Sequence, residues 1–315
     1  TINNNKLIGQ NIMTEDIANN FVYLDFNALI HNTIEEIEAE LNYILYEIII
    51  QKELDASSNL IINKYKNILK ITESNNLDLN YFKEQIVSKT DEILKELLRS
   101  KINFFITNQT EYLYIAFDGI PTMTKIIEQR KRRYINYILD KIKKKLFDKH
   151  KDTFDNYRII YENNYITINR LETIKNLYTD LDQVKSIYNI QEINISSNKH
   201  PGEGEKKIFT DILSRSKSGN YLIFSPDADV IILSLLHQNI MMSKNINTQF
   251  GIIKLSETNE YLNIDNLRKN IITYCSQRIE VLKIEERQFD PEYNLILNDF
   301  IFLLQFLGND FLPRL

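Results

Sequence analysis

The chain has 315 residues, of which 43% are hydrophobic and 26% are charged, and its net charge is −5. These values are typical of a globular protein, and the longest apolar runs are far shorter than the roughly 20 residues that cross a bilayer. The single cysteine, Cys275, excludes an internal disulfide framework. We therefore expect an intracellular protein, cytoplasmic rather than nuclear.

Three short apolar segments are predicted to be buried β-strands, and each of them ends at an aspartate: 21–25, 112–118 and 221–227. Helical patterns lie around them, at 34–54, 81–101, 125–147 and 171–185. This alternation indicates an α/β fold with a mainly parallel sheet. We expect a single domain over residues 1–315, within which 34–102 forms a long helical insertion.

Acidic residues gather where the predicted strands end. Asp227 and Asp229 lie two positions apart at the mouth of a buried strand, where repulsion and desolvation oppose two like charges unless a positive charge sits between them. A second pair, Glu203 and Glu205, flanks Gly204, and a tight turn at this glycine would let both carboxylates point at one small volume. Ligands of parallel sheets bind beyond the carboxyl ends of the strands, which makes this edge the expected site.

The full set of candidate carboxylates spans five segments of the chain. Its members are Asp25, Asp118, Glu203, Glu205, Asp227, Asp229 and Asp310. Each one alone is typical of a helix cap or a turn. Together they predict an oxygen-rich site for two Mg²⁺ ions, or Mn²⁺, an arrangement that suits phosphodiester hydrolysis. Only four histidines and one cysteine are present, which argues against zinc, and no Walker A or GxGxxG pattern occurs.

A basic segment follows the second predicted strand. Residues 125–145 contain nine Lys or Arg and two acidic residues, and such a run is often only a solvated helix face. At about 100° per residue, however, one face carries Lys125, Gln129, Arg132 and Arg133. That face, which starts seven residues after Asp118, predicts a phosphate pocket. The opposite face, with Ile127, Tyr134 and Ile138, is expected to pack on the core, and Arg130 and Lys131 are expected to be solvated.

The motifs together resemble the Xrn-type 5′→3′ exoribonucleases, which share a PIN-like nuclease core with the flap endonucleases. The matching stretches are "VYLDFNALIHN", "AFDGIPTMTKIIEQRKRRY", "HPGEGEKKI", "LIFSPDADVIILSL" and "DFIFLLQFLGNDFLP". The resemblance implies that the seven acids ligate two Mg²⁺ ions, that Lys125, Gln129, Arg132 and Arg133 bind a 5′-monophosphate, and that His31 stacks on the first base. It also implies single-stranded RNA with a 5′-monophosphate as substrate, degraded to mononucleotides.

The chain departs from the family pattern in several places. The opening "MGVP" segment is not visible, the interval from Asp25 to Asp118 is longer than usual, and the chain has no tryptophan to stack opposite the histidine. We expect the extreme N-terminus and the later conserved region to be missing. Two alternatives stay open: a 5′→3′ exonuclease or flap-type nuclease that acts on DNA, and a non-catalytic RNA-binding scaffold on the same fold. Without the resemblance, His31 would be interpreted as a surface-loop histidine.

Overall fold

A seven-stranded sheet organises the chain, with the strand order β1-β7-β6-β5-β2-β3-β4. The computed structural model describes residues 8–10, 19–51, 53–69, 79–121, 123–150, 186, 190–254, 260–281, 293–304 and 306. The strands are β1 (Ile8–Gln10), β2 (Phe21–Asp25), β3 (Tyr112–Ala116), β4 (Glu192–Ser196), β5 (Gly219–Phe224), β6 (Thr248–Lys254) and β7 (Glu260–Asn263). Five strands are parallel neighbours, in the order β6, β5, β2, β3 and β4. Next to β6, the strands β7 and β1 form an antiparallel edge. The predicted α/β class with a mainly parallel sheet is confirmed.

Eight α-helices lie within the described residues. They are α1 (Phe26–Tyr46), α2 (Ala56–Leu69), α3 (Leu79–Phe105), α4 (Met123–Lys149), α5 (Gly204–Arg215), α6 (Asp229–Ser243), α7 (Ile264–Val281) and α8 (Tyr293–Leu304). A π-helical turn, Glu47–Gln51, follows α1. In the part of the chain that the structure describes, no helix is both long and apolar enough to cross a membrane.

The predicted strands exist, but two of them have different bounds. The segment 112–118 is a strand only to Ala116, and the segment 221–227 begins earlier, at Gly219, and ends at Phe224. Asp118 and Asp227 therefore lie in loops just beyond the strands. The first helix starts at Phe26 rather than at residue 34, directly after the strand that carries Asp25. The predicted helix at 171–185 lies outside the described residues.

Aromatic side chains fill the core on one face of the sheet. The rings of Phe21 and Phe250 stack on Tyr221 with centroids 4.7 and 5.0 Å apart, and Tyr23 lies 5.7 Å from Tyr112. Helix α5 packs its apolar side on this layer through Ile208, Phe209 and Ile212, all buried. Stacked and edge-on rings bury large areas and hold the strands and the helix in one register. The end of the sheet that carries Asp25 is thereby fixed relative to α5.

Backbone contacts divide the chain into two compact units. The first comprises Thr1–Ala28, Phe104–Glu128 and Lys185–Leu315, and it contains the whole sheet. The second comprises Leu29–Asn103 and Gln129–Val184. The single-domain organisation, with 34–102 as an insertion, stays a prediction.

The second unit has its own ionic and apolar contacts. The ammonium of Lys64 lies 2.7 Å from carboxylate oxygens of both Glu36 and Glu40, and Lys101 lies 2.6 Å from Glu36. The hydroxyl of Tyr65 donates to Glu40. These contacts join α1 to α2 and α3, and each of the three helices buries apolar side chains, among them Ile37, Ile62 and Leu94. The helices of the segment 34–102 therefore pack on one another.

Helix α4 contradicts one expectation. None of its side chains is buried, and Ile127, Tyr134 and Ile138 are 60%, 63% and 38% exposed. The prediction that this apolar face packs on the core is wrong. Helical spacing determines which residues share a face, but whether another element covers that face depends on the tertiary fold.

A partly buried polar network holds the end of α5 to the sheet and yields a prediction. The hydroxyls of Tyr23 and Tyr112 each donate to Asp211 Oδ2 at 3.1 Å, and Arg215 Nε donates to the same oxygen at 3.0 Å. Asp211→Ala should lower the free energy of unfolding by about 2–4 kcal/mol, because it removes the acceptor of two tyrosine hydroxyls and of Arg215 Nε, although the guanidinium keeps its two hydrogen bonds to Glu192. Urea unfolding measures this. Ser214→Ala, at an exposed position of the same helix, is the matched control and should change stability by less than about 0.5 kcal/mol.

Candidate active site

Three aspartates meet at the carboxyl edge of the parallel strands. Asp25 is the last residue of β2 and pairs in register with Ala116 at the end of β3. Asp118 follows two residues later, and Asp227 lies three residues beyond Phe224, the end of β5. The neighbouring strands run parallel, so their ends share one edge and the three carboxylates come together there.

A buried serine connects two of these aspartates. The hydroxyl of Ser225 donates to Asp25 Oδ2 at 3.2 Å and accepts the backbone N–H of Asp227 at 3.3 Å. Asp227 Oδ1 in turn accepts the N–H of Asp229, the first residue of α6, at 3.4 Å. The segment Ser225–Pro226–Asp227 is thus a short loop whose polar groups are directed at the acids.

Helix α5 brings the second acidic pair to the same edge. Its first residue, Gly204, donates its N–H to Asp118 Oδ1 at 2.7 Å, and Glu203 and Glu205 flank it. The predicted tight turn at Gly204 is wrong: the glycine with a left-handed φ of 104° is Gly202. A Cβ at Gly204 would lie 3.2 Å from Asp25 Oδ1 and 3.4 Å from Asp118 Oδ1, so the glycine lets α5 approach both carboxylates without pushing them aside.

Burial and mutual repulsion change the protonation of two acids. Burial, with the charge of Asp118 next, raises the pKa of Asp25 to about 6. Burial, followed by the charges of Asp227 and Glu203, raises the pKa of Glu205 to about 8, and Asp229 adds to this effect. Asp227 also raises the pKa of Asp25. Six of the seven predicted acids therefore form one electrostatically coupled cluster.

The cluster suits a hard divalent cation in its chemistry. Its donors are all carboxylate oxygens, the type that Mg²⁺ and Mn²⁺ prefer. Glu203 Oε1 is buried and, among the described residues, has no hydrogen-bond partner, which is costly unless a cation or a proton satisfies it. As the side chains stand, the described residues contain no group of three or more His, Cys, Asp or Glu close enough to hold a metal ion. The fold thus supplies the donors at one edge but not a closed coordination shell.

The predicted phosphate-binding residues all lie on α4. Lys125 belongs to the first unit, where its ammonium lies 3.5 Å from Glu128. Gln129, Arg132 and Arg133 belong to the second unit, and both arginines are exposed. His31 is exposed on α1 of the second unit, rather than in a loop.

The seventh acid, Asp310, lies outside the described residues. Its predicted role stays a prediction. The site roles of the other six acids, of the α4 residues and of His31 likewise stay predictions.

Comparison with known proteins connects this geometry to a family. The model described as XRN 5′-3′ exonuclease N-terminus matches residues 3–244, which is most of the chain. The chain belongs to this family. The match includes every described acid of the cluster and the whole of α4, so the resemblance inferred from the motifs is confirmed.

Several curated relatives are named as 5′-3′ exoribonucleases or exonucleases, and their sequence identity to this chain is low. The chain is 27% identical over 266 residues to the 5′-3′ exoribonuclease 1 of Saccharomyces cerevisiae, covering 71% of this chain and 16% of that protein. It is 29% identical over 146 residues to a putative 5′-3′ exonuclease of Acanthamoeba polyphaga mimivirus, covering 44% of this chain and 22% of that protein. With the human 5′-3′ exoribonuclease 1, the identity is 24% over 294 residues, or 86% of this chain and 16% of that protein. The chain therefore corresponds to a small part of these relatives.

Two side chains of the site were missed by sequence reasoning. Ser225 and Lys207 are both buried among the acids. The position of Ser225 between a buried strand and an aspartate gave a weak signal for the serine. Lys207 carried no signal, because a lysine two residues after Glu205 in a helix is usually solvated.

The raised pKa values predict how stability depends on pH. Between about pH 4, where unfolded carboxyls titrate, and the folded pKa values of Asp25 and Glu205, the folded protein binds more protons than the unfolded chain. In metal-free buffer, the free energy of unfolding should therefore fall as pH rises from 4 to 8, by at most about 1.4 kcal/mol per pH unit for each proton. Denaturant unfolding across this range in EDTA measures the slope.

A neutral variant isolates the contribution of Glu205. Glu205→Gln cannot ionise, so its stability should fall less steeply with pH. Asp91→Asn, at an exposed position of α3, is the matched control and should retain the wild-type slope. Equal slopes for Glu205→Gln and the wild type would contradict the repulsion account.

Proposed function

We propose that this chain is the nuclease portion of a 5′→3′ exoribonuclease, which hydrolyses single-stranded RNA bearing a 5′-monophosphate and releases nucleoside monophosphates. The observation that carries the proposal is the cluster of six coupled carboxylates at one edge of a parallel sheet in an XRN-family chain. Support for the polarity and the reaction comes from relatives whose names describe 5′-3′ exoribonucleases.

The acids have the charge and position to hold divalent cations, Mg²⁺ or Mn²⁺. In this proposal the ligands come from the end of β2, from the loops after β3 and β5 and from the starts of α5 and α6: Asp25, Asp118, Glu203, Glu205, Asp227 and Asp229, with Asp310 as a seventh. Two bound ions would supply a water of lowered pKa for attack at phosphorus and would stabilise the leaving oxygen. The role of the protein is to hold these carboxylates together against their mutual repulsion, and bound cations would favour their ionised form.

The basic face of α4 is proposed to select the 5′ end of the substrate. Arg132 and Arg133 can each offer a fork of N–H donors to phosphate oxygens, with Lys125 and Gln129 on the same helical face. The exposure of both arginines leaves their guanidinium groups accessible to a ligand. His31 is proposed to stack on the first base.

Removing two acids tests the catalytic proposal. Wild-type protein should release labelled mononucleotide as the first product from 5′-³²P-labelled RNA in Mg²⁺, and none in EDTA. Asp227→Ala with Asp229→Ala should reduce the rate by about 100-fold or more, because metal ions contribute several kcal/mol to such reactions. Asp91→Asn is the control. Wild-type activity in the double variant would reject the metal account, and equal cleavage of a DNA oligomer would reject RNA specificity.

Neutralising the two arginines tests end recognition. Arg132→Ala with Arg133→Ala should lower the preference for 5′-monophosphate over 5′-hydroxyl RNA by about tenfold or more, since charge-assisted hydrogen bonds contribute about 1.5–3 kcal/mol each. Competition between the two substrates measures the preference. Arg130→Ala with Lys131→Ala removes the same charge from the neighbouring face and should leave the preference unchanged. Equal losses on both substrates would indicate general backbone binding instead.

A further inference from the structure

One buried cation lies among the acids of the sheet edge. Lys207, in the first turns of α5, is only 8% exposed. Its ammonium donates to the carbonyl oxygens of Phe117 at 2.6 Å and Ser197 at 3.0 Å. Phe117 directly precedes Asp118, and Ser197 directly follows β4. The side chain thus reaches from the helix that carries Glu205 to the loop that carries Asp118.

We infer that Lys207 is a positioning residue that joins the Asp118 loop to the loop before α5 and so holds the carboxylates of the two loops in place; this inference rests on the proposed nuclease function. It adds to that function a residue whose ammonium donates to backbone carbonyls of two loops. It acts through the backbone carbonyls of Phe117, directly before Asp118, and of Ser197, directly after β4.

The two loops are joined by a run of short backbone contacts around Lys207. The N–H of Phe117 donates to Ser196 O at 2.9 Å, and the N–H of Gly119 donates to Gly202 O at 2.8 Å. In return, the N–H of Gly202 donates to Ile120 O at 3.2 Å. The two backbones therefore run side by side from the ends of β3 and β4 to the start of α5.

The approach of the loops leaves no room for a side chain at Gly119. A Cβ there would lie 1.7 Å from the carbonyl oxygen of His200 and 3.2 Å from Lys207 Nζ. Because the loops are in direct contact, a small shift of one loop moves the other. A shift at Phe117 O would therefore move Asp118 away from the N–H of Gly204 that it accepts.

A lysine suits this place for a chemical reason. Its ammonium carries three donors and no acceptor, which matches two carbonyl oxygens in a region rich in carboxylates. A methionine of similar length fills the space but donates nothing, so the buried carbonyl of Phe117 would lose this donor. Unsatisfied buried acceptors are costly, and the structure should relieve the cost by separating the loops.

Hydrogen–deuterium exchange of the metal-free protein tests directly whether Lys207 holds the two loops together. In EDTA, Lys207→Met should speed exchange about tenfold in peptides covering residues 112–121 and 200–208, because the amides of Gly119 and Gly204 lose protection. Lys206→Met removes the same charge from the adjacent, exposed position and should exchange like the wild type. Wild-type exchange in Lys207→Met would overturn the inference.

Kinetics give the second readout. At saturating Mg²⁺, Lys207→Met should lower kcat on 5′-phosphorylated RNA about tenfold or more while KM stays close to the wild-type value, since the lysine positions acids rather than binding RNA. Faster exchange with unchanged kcat would overturn the positioning role in catalysis. If Lys207→Met exchanges faster than the wild type but the wild type does not cleave RNA, the proposed function fails. The role of Lys207 in joining the two loops then still stands.

A second variant covers the case in which methionine prevents folding. Lys207→Gln is neutral and shorter, yet still donates hydrogen bonds, so it should show an intermediate rise in exchange and an intermediate loss in kcat. Circular dichroism identifies which variants fold. Lys207→Gln that folds and matches the wild type in both measurements would also overturn the inference.

Discussion

Repulsion between like charges is the constraint on which the rest of this structure depends. Six carboxylates are held at one edge of the sheet, and burial together with their proximity raises the pKa of Asp25 and Glu205. Such a cluster opposes folding unless other groups compensate. The N–H of Gly204 and the hydroxyl of Ser225 donate to the acids, and the first turns of α5 and α6, whose dipoles favour negative charge, carry Glu205 and Asp229.

The aromatic core gives this edge its rigidity. Helix α5 carries acids at its beginning and Asp211 and Arg215 near its end, where they bind tyrosines of β2 and β3. Between the two ends, Ile208 and Phe209 pack on the sheet. A helix anchored along its whole length holds its first residues in a defined place, which a site built on several elements requires. The core and the candidate site are thus parts of the same packing arrangement.

Helix α4, unlike α5, is not anchored by buried side chains. It carries ten of the 38 Lys and Arg residues of the chain, and none of its side chains is buried. Helical geometry predicted which residues share its faces, and the Arg132 and Arg133 side chains are accessible as a ligand-binding role requires. The same geometry did not reveal that the apolar face of Ile127 and Tyr134 is exposed. A periodic pattern contains no information about what lies opposite it.

The sequence by itself determined the buried strands that lie just before the aspartates, the α/β class and the family, because these follow from local apolar patterns and from motifs that are contiguous in the chain. The convergence of Asp25, Asp118 and Asp227 could be predicted because parallel strands end at a common edge. Only the tertiary structure decided that Gly202 makes the turn and that Lys207 points inward. Those outcomes depend on contacts between segments that lie about 80 or more residues apart in the chain. A local sequence pattern does not show which distant segments come into contact.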